Sequence, residues 1–513
     1  MWILAAIIFC LVAAFLGLAH STKRPPHYPP GPTCLPLIGC SLHVVRLVRR
    51  LGFVHNAWEH LAREYGPFVG LKMGPINVVL VSGAQAAASV LADRRFDARP
   101  DNFFFRMRTF GDRLGLVFSD GELWQVHRRF CLRHLRDVNG LGSRRMEGLL
   151  QREAATVVGF LRDRAEREEG GAALVSFNSF FDLPTLNVVW SMVAGGTIPL
   201  AREEKALTKE EGGKHDPLYL LELVRRSFGL QDISGGILGY MPWLRHVVPS
   251  LVGYDQLRST VDKMHEFLRA TVAEHRENLN ADGCPEDLIE AYLMEMNTAN
   301  PHSSFTDEQL LSVCMDLFMA GVETTANTLS FGVLLLLKHP EVRKKAVDQL
   351  DRVVGKGRIP SLGDRANCPY VEAVIMEVLR RSNVVPVDIP HRAVCDVVIN
   401  GYQIPKDTAV LISLRSVHMD KEHWGDPENF RPERFIDESG NVKNDTANLL
   451  AFGGGRRRCM AESLARATLF IFLSSMLLNF DLQPTEDPLP SCLAARDGVT
   501  LSPLPFRGRV VLR

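Results

Sequence analysis

A cysteine that follows a run of glycines and arginines is the residue of this sequence with the clearest chemistry. Cys459 lies near the start of an apolar stretch, 462–478, that is predicted to be a helix. A helix N-terminus, backbone N–H donors and nearby arginines favour the thiolate, which binds metals. A thiolate is also an axial ligand that helps haem iron to cleave the O–O bond. From these residues alone, a buried structural cysteine is an equally good interpretation.

A long helix is predicted from residue 307 to residue 338. Thr306 and Gln309 fit a capping box, and Pro340 ends the helix. About 32 residues span ~48 Å, enough to cross a domain. In residues 320–325 at its middle, a glycine and two β-branched residues weaken helix propensity, and a buried acid costs free energy unless it is paired. Such a local violation in a central helix indicates a functional site. A packing glycine beside a hydrogen-bonded threonine is the alternative.

The segment around the cysteine resembles the cysteine-ligand signature of the cytochrome P-450 family. Phe452, Gly455, Arg457 and Cys459 match that signature, and Ala461 replaces its last glycine. The resemblance implies that Cys459 binds the iron of haem b, with dioxygen as co-substrate.

Two further motifs of the family follow in the expected order. Glu377 and Arg380 resemble its ExxR motif, and Trp124 and Arg128 resemble its WxxxR motif. The first pair would form a buried network with Arg434 behind the haem, although i, i+3 spacing alone is also typical of a surface ion pair.

The resemblance also implies roles for other residues. Glu323 and Thr324 would deliver protons during oxygen activation, and Gly321 would leave room for oxygen. The residues expected to bind the haem, several through its propionates, are Trp124, Arg128, His391, Arg392, Phe452 and Arg457.

The fold implied by the resemblance is mainly α-helical with a smaller β-rich subdomain. The haem would lie between the long central helix and the cysteine loop. Independently, the apolar runs 67–73 and 76–82, split by Gly74 and Pro75, predict a strand pair with a tight turn.

Three regions are predicted along the chain: an anchor at 1–20, a basic and proline-rich hinge at 21–39, and a catalytic haem domain at 40–513. Residues 1–19 are uncharged and largely apolar, and Lys23 and Arg24 follow. This pattern favours a single-pass anchor with the catalytic domain on the cytoplasmic face of the endoplasmic reticulum. A cleaved signal peptide is the competing interpretation.

Composition limits the possible functions. The formal net charge is zero, which gives no global electrostatic reason to expect nucleic acid as a partner. The ten cysteines contain no CxxC pair, and in a chain of this length they do not indicate a disulfide scaffold.

Electrons are expected from another protein, because the sequence has no convincing GxGxxG dinucleotide motif after a strand. Resemblance to the microsomal branch of the family implies the NADPH-dependent flavoprotein reductase, with cytochrome b5 as a second candidate donor. The candidate docking charges are Arg128, Arg129, Arg133, Arg136, Arg456 and Arg458.

The substrate is expected to be a hydrophobic small molecule such as a steroid, a terpenoid hormone or a xenobiotic, which would be hydroxylated or epoxidised. By resemblance, the pocket would be lined by Phe104, Val117, Phe318, Ala320, Val385, Asp388 and Val499. Asp388 would either anchor a polar substrate group or face a loop.

Two alternatives to a monooxygenase stay open at this point. One is an isomerase or peroxide-rearranging enzyme of the same fold that needs no reductase. The other is a non-catalytic haem-binding protein.

Overall fold

The computed structural model describes residues 22–137, 144–168, 170–200, 216–230, 235–280, 283–298, 304–444, 446–491 and 494–513. The predicted anchor at 1–20 lies outside these residues.

Helices form most of the described chain. They are α1 (Ser41–Leu51), α2 (Val54–Tyr65), α3 (Ala84–Ala92), α4 (Phe103–Arg108), α5 (Gly121–Asp137), α6 (Arg144–Arg167), α7 (Asp182–Val193), α8 (Pro217–Leu230), α9 (Gly236–Tyr240), α10 (Leu244–Val247), α11 (Tyr254–Asn278), α12 (Leu288–Thr298), α13 (Asp307–Lys338), α14 (Pro340–Val353), α15 (Pro369–Ser382), α16 (Leu414–His418), α17 (Lys421–Trp424) and α18 (Glu462–Asn479). Short 3₁₀ turns cover Arg94–Phe96, Arg365–Asn367, Pro432–Phe435 and Gly455–Arg457.

The strands form small sheets at the edge of the helical body. They are β1 (Phe68–Met73), β2 (Ile76–Ser82), β3 (Ala172–Ser176), β4 (His391–Arg392), β5 (Val397–Ile399), β6 (Tyr402–Ile404), β7 (Ala409–Ser413), β8 (Phe480–Pro484), β9 (Ala495–Arg496), β10 (Ser502–Pro503) and β11 (Arg507–Leu512). Their orders are β1-β2-β7-β4, β3-β11-β8, β5-β6 and β9-β10. The predicted strand pair is present as β1 and β2, which pair antiparallel from Phe68↔Val81 to Met73↔Ile76. The predicted class, mainly α with a β-rich subdomain, is confirmed.

The central helix α13 has the predicted bounds, but only half of the predicted capping box forms. The Thr306 hydroxyl accepts a hydrogen bond from the backbone N–H of Gln309 at 3.2 Å. The Gln309 side chain instead bonds Gly115, accepting from its N–H at 2.9 Å and donating to its carbonyl at 3.3 Å. The amide therefore ties the loop before α5 to the start of α13.

Helix α13 is the one described helix that is long and apolar enough to cross a membrane, yet 72% of its most apolar window is buried inside the protein. It packs against α7, α11, α15 and α18. Its hydropathy therefore belongs to the core. Helix α18, predicted at 462–478, directly follows the cysteine loop and packs against α13.

Candidate active site

A cavity of about 360 Å³ lies between α13 and the cysteine loop. Most of the predicted haem and substrate residues meet at its wall: Phe104, Val117, Trp124, Arg128, Ala320, Gly321, Thr324, Val385, Asp388, Phe452, Arg457, Cys459 and Val499. Phe318, Glu323, His391 and Arg392 are not among its lining residues.

Phe318 and Arg392 have other partners in this structure, so their predicted roles stay predictions. Phe318 is fully buried and stacks on Trp190, with ring centroids 5.3 Å apart. Successive helix positions are about 100° apart, so Phe318 and the cavity-lining Ala320 point in widely different directions. Arg392 pairs with Asp120 at 3.0 Å and with Asp407 at 2.5 Å, so its charge is already neutralised by acids.

The sulfur of Cys459 is accessible from the cavity, three residues before α18 begins. Burial raises the pKa of this thiol, and the backbone N–H of Ala461 and the charge of Arg128 lower it by less. The backbone N–H and Arg128 thus act in the predicted direction, but burial outweighs them. Arg458 pairs with Glu462 at 2.6 Å, and the charge of Glu462 raises the pKa of the thiol further. A cation bound at the sulfur would supply the missing compensation.

The glycines of the cysteine loop serve its packing on α3. Gly455 has φ +61°, and a Cβ there would lie 2.0 Å from the carbonyl oxygen of Leu91. The close approach at this glycine is thus to protein backbone. Ala461 has φ −100°, which any residue adopts, so replacing the family's glycine there introduces no backbone strain.

Three arginines crowd one edge of the cavity: Arg99, Arg128 and Arg457. Burial and mutual repulsion lower the pKa of Arg457 to about 8, and burial lowers the pKa of Arg99 to about 10. Burial also lowers the pKa of Arg128. Because an arginine in a protein keeps its charge, these shifts mark positive charge that the protein does not balance.

Two of the nearby acids, Asp97 and Asp120, pair with other arginines. Asp97 pairs with Arg456 at 3.3 Å, and Asp120 pairs with Arg113 and Arg392. The edge therefore suits an anion, and the two propionates of a haem fit it chemically. Arg99 was missed by sequence reasoning, since it stands in a loop without a diagnostic spacing.

His391 adds a buried nitrogen beside this edge. Its Nδ1 lies 2.7 Å from the Phe96 carbonyl oxygen, while its buried Nε2 has no hydrogen-bond partner among the described residues. The Asp388 Oδ2 atom is 3.6 Å from Nε2, beyond hydrogen-bond distance. Asp388 itself accepts from the N–H of Ile389 and packs against Gly453, so it faces the cysteine loop as well as the cavity.

The predicted ion-pair network is formed and buried. Glu377 and Arg380 are both 0% exposed, and Arg380 binds the two Glu377 oxygens at 2.7 and 2.8 Å. Arg434 donates to Glu377 Oε1 at 3.1 Å. The guanidinium groups also donate to backbone carbonyls, from Arg380 to His418 and from Arg434 to Trp424.

This network reaches the cysteine loop through His418. Its carbonyl oxygen accepts from Arg380, and its Nε2 accepts from the backbone N–H of Leu450 at 3.0 Å. Its Nδ1 bonds Asn383 Oδ1 at 2.7 Å, which fixes the ring. The loop before Cys459 is therefore tied to the buried ion-pair network through His418.

The acid and alcohol in the middle of α13 occupy different environments. Thr324 lines the cavity, and its hydroxyl donates to the Ala320 carbonyl at 2.6 Å. Glu323 Oε1 accepts from the Thr500 hydroxyl at 2.8 Å, while the buried Oε2 has no partner in the described chain. Burial raises the pKa of Glu323 to about 8, and the charge of Asp182 adds to the rise.

Gly321 is a packing residue. A Cβ at this position would lie 2.7 Å from Val189 Cγ2, so the glycine lets α13 approach α7 closely. Gly321 also lines the cavity, so its role in leaving room for oxygen stays a prediction.

Comparisons with known proteins agree with this geometry. Residues 29–508 match the family described as Cytochrome P450. The chain is 40% identical to the farnesoate epoxidase of Bombyx mori over 506 residues, 98% of this chain and 97% of that protein. It is 37% identical to probable cytochrome P450 305a1 of Drosophila melanogaster, covering 99% and 100% of the two chains. It is 32% identical to cytochrome P450 2G1 of Oryctolagus cuniculus, covering 91% and 90%.

Replacing Glu377 should destabilise the protein strongly. Glu377→Gln leaves two buried guanidinium groups without their carboxylate, which costs about 3–5 kcal/mol. We expect a lower melting temperature and loss of haem during purification, measured by calorimetry and by haem absorbance per chain. Glu341→Gln, which removes an exposed carboxylate paired with His339, is the control and should leave both unchanged. Equal melting temperatures for the two variants would contradict the bracing role.

Proposed function

Because the chain belongs to the cytochrome P450 family of haem monooxygenases, we propose that it oxygenates an apolar terpenoid with electrons from an NADPH-dependent reductase. The observation that carries the proposal is Cys459 opening onto an apolar cavity whose edge holds unbalanced arginines. When bound there, haem b supplies the activation of dioxygen, so that one oxygen atom enters the substrate and the other leaves as water.

Different residues bind the iron and the propionates of the haem. Cys459 is the iron ligand, and Arg99, Arg128, Arg457 and His391 bind the propionates. Bidentate guanidinium pairing suits these carboxylates and would relieve the like-charge crowding among the arginines. The Trp124 ring, 3.9 Å below the Arg457 guanidinium, keeps that side chain in place.

Protons reach the cavity through Glu323 and Thr324. The raised pKa keeps the Glu323 carboxyl protonated at neutral pH, so it is a proton donor. Asp182 and Arg225, which interact electrostatically with Glu323, connect it to the surface, because Arg225 is partly exposed. Thr500 holds one carboxyl oxygen and leaves the other free for exchange.

Electrons enter on the face of α5 beside the cysteine loop. Arg129 and Arg133 are exposed there, and Arg456 and Arg458 are exposed although paired with acids. Such a basic face would attract an acidic reductase or cytochrome b5, and the attraction would weaken with salt. The side chain of Arg136 lies outside the described residues.

A membrane of the endoplasmic reticulum is the proposed location, with an anchor at 1–20 and the hinge and catalytic domain on the cytoplasmic side. In the apolar stretch 237–244, Leu238, Tyr240 and Met241 are buried, but Trp243 is 52% exposed. Further along this region Leu251 is 85% exposed. These side chains form one part of a surface suited to lipid.

The hinge side of the molecule supplies the other part of this surface. Leu35, Leu37, Leu42 and Val45 are exposed. The two parts are neighbours: Gly39, the Tyr240 carbonyl and the Met241 side chain all pack against the β1–β2 turn at Gly74. Both parts would therefore face the bilayer that holds the anchor.

The substrate class is inferred from the cavity and the relatives. The lining is mostly apolar, which suits a hydrocarbon skeleton. The silkworm relative is named for epoxidation of farnesoate, a branched unsaturated carboxylate. We propose a substrate of this terpenoid class, with epoxidation of a double bond as the reaction.

The carbon-monoxide spectrum of the reduced holoenzyme tests the assignment of Cys459. The wild type should show the strongly red-shifted Soret band of a thiolate-ligated haem, and Cys459→Ser should lose it. Cys368→Ser, which changes another cysteine, is the control. Retention of the band in Cys459→Ser would contradict the ligand assignment.

Turnover assays distinguish the monooxygenase from its alternatives. Product that forms without NADPH or reductase would favour the isomerase alternative. Substrate binding without NADPH consumption would favour a haem carrier.

Thr324→Ala should keep its haem but lose coupling. Without the hydroxyl, proton delivery is impaired, so several-fold less product should form per NADPH and hydrogen peroxide should rise. Product, NADPH and peroxide are measured in the same reaction. Thr324→Ser retains the hydroxyl and should retain coupling, and unchanged coupling in Thr324→Ala would remove this residue from the proton route.

Coupled oxygenation should fall as the pH rises through about 8. Glu323 has its pKa raised by burial to about 8, so its proton is present at neutral pH and lost above that value. The product-to-NADPH ratio is measured on both sides of pH 8 for the wild type and for Glu323→Gln. The variant should couple poorly at every pH, and an identical alkaline fall in the variant would assign the titration to another group.

A further inference from the structure

Arg108 is a buried arginine that the proposed mechanism does not use. It ends α4, its side chain is 8% exposed, and it lines the cavity. The His265 Nε2 lies 2.9 Å from its carbonyl oxygen, and its guanidinium carbon lies 4.9 Å from the centre of the Phe118 ring. The side chain is thus held at the wall by backbone and ring contacts.

The guanidinium group of Arg108 has few acceptors. Its Nη2 donates to the Met319 sulfur at 3.1 Å, and a thioether is a weak acceptor. Its Nε is buried and has no hydrogen-bond partner among the residues described. A guanidinium offers five N–H donors, and a buried charge with so few bonds is costly unless another acceptor reaches it.

Asp316 does not fill this role completely. Its Oδ2 accepts from the backbone N–H groups of Leu116 and Val117 at 2.7 and 2.9 Å, which fixes the loop before α5. Its Oδ1 is 3.5 Å from Arg108 Nη2, within ion-pair range but long for a hydrogen bond. The carboxylate therefore balances charge while leaving donors of Arg108 open.

We propose that Arg108 binds the carboxylate of an otherwise apolar acid in this cavity. The inference rests on the proposed function, which makes the cavity the substrate site. The cavity wall combines this donor group with the apolar side chains of Phe104, Leu116 and Val189. A molecule with one carboxylate and a hydrocarbon body would satisfy both parts of the wall, since guanidinium binds carboxylates in a bidentate manner.

Paired ligands that differ only in charge test this proposal. Farnesoic acid and its methyl ester are titrated into the holoenzyme, and binding is read from the haem spectral shift and by calorimetry. Arg108→Gln should weaken binding of the acid by about 10- to 100-fold, because one charge-assisted interaction is lost. Binding of the ester should change by less than about threefold, since only a neutral contact is lost.

The matched control is Arg106→Gln on the same helix. Arg106 is partly exposed, pairs with Asp101 and does not line the cavity, so this variant should bind both ligands as the wild type does. Equal weakening of acid and ester in Arg108→Gln, or no weakening of either, would overturn the proposal.

Asp316→Asn gives a test that does not depend on the folding of Arg108→Gln. The amide oxygen can still accept from Leu116 and Val117, while the charge that competes for Arg108 is removed. The acid should bind several-fold more tightly and the ester should not. Unchanged acid affinity would count against the carboxylate site.

Failure of the proposed function is distinguishable from failure of this inference. A holoenzyme that binds the acid through Arg108 but forms no product with NADPH and reductase would support the inference and reject the proposed function. If the holoenzyme oxygenates both ligands and Arg108→Gln binds them as the wild type does, the proposed function is supported and the inference is rejected.

Discussion

Glu377 holds two buried guanidinium groups at once, and the loop that carries Cys459 depends on this arrangement. The loop has little regular structure of its own, so contacts with the rest of the fold must fix its position. Arg380 and Arg434 also donate hydrogen bonds to backbone carbonyls, including that of His418. The His418 ring in turn accepts a hydrogen bond from the backbone N–H of Leu450 in the loop. Because Glu377, Arg380 and Arg434 are all buried, removing one of their charges leaves the others uncompensated.

The cavity carries charges and polar groups that the protein alone leaves unbalanced. Burial raises the pKa of the Cys459 thiol, and Arg99, Arg128 and Arg457 repel one another. Iron at the sulfur and carboxylates at the arginines would compensate both. Binding of haem at this site should therefore stabilise the folded chain, because a ligand that binds only the native state shifts the equilibrium towards it.

Sequence patterns predicted those parts of the site that follow from local rules. The bounds of α13 and α18 follow from caps, proline and apolar runs, and the network of Glu377, Arg380 and Arg434 follows from motif resemblance. Contacts between distant segments could not be predicted in this way. Gly321 meets Val189 and Arg392 meets Asp120, because helix packing and loop paths decide those neighbours. The effect of burial on the pKa of Cys459 could not be predicted either, since burial depends on the whole fold.

Arg108 and Cys459 line the same cavity but would bind different groups, a carboxylate and the iron. Together they would orient a ligand. A carboxylate held by the arginine fixes one end of an apolar molecule, and the sulfur marks the side where the reaction takes place. The carbon that is oxidised would then depend on chain length and on the shape of the wall between the two ends. Apolar contacts give affinity with little direction, whereas the charged contact with Arg108 would fix the direction of binding.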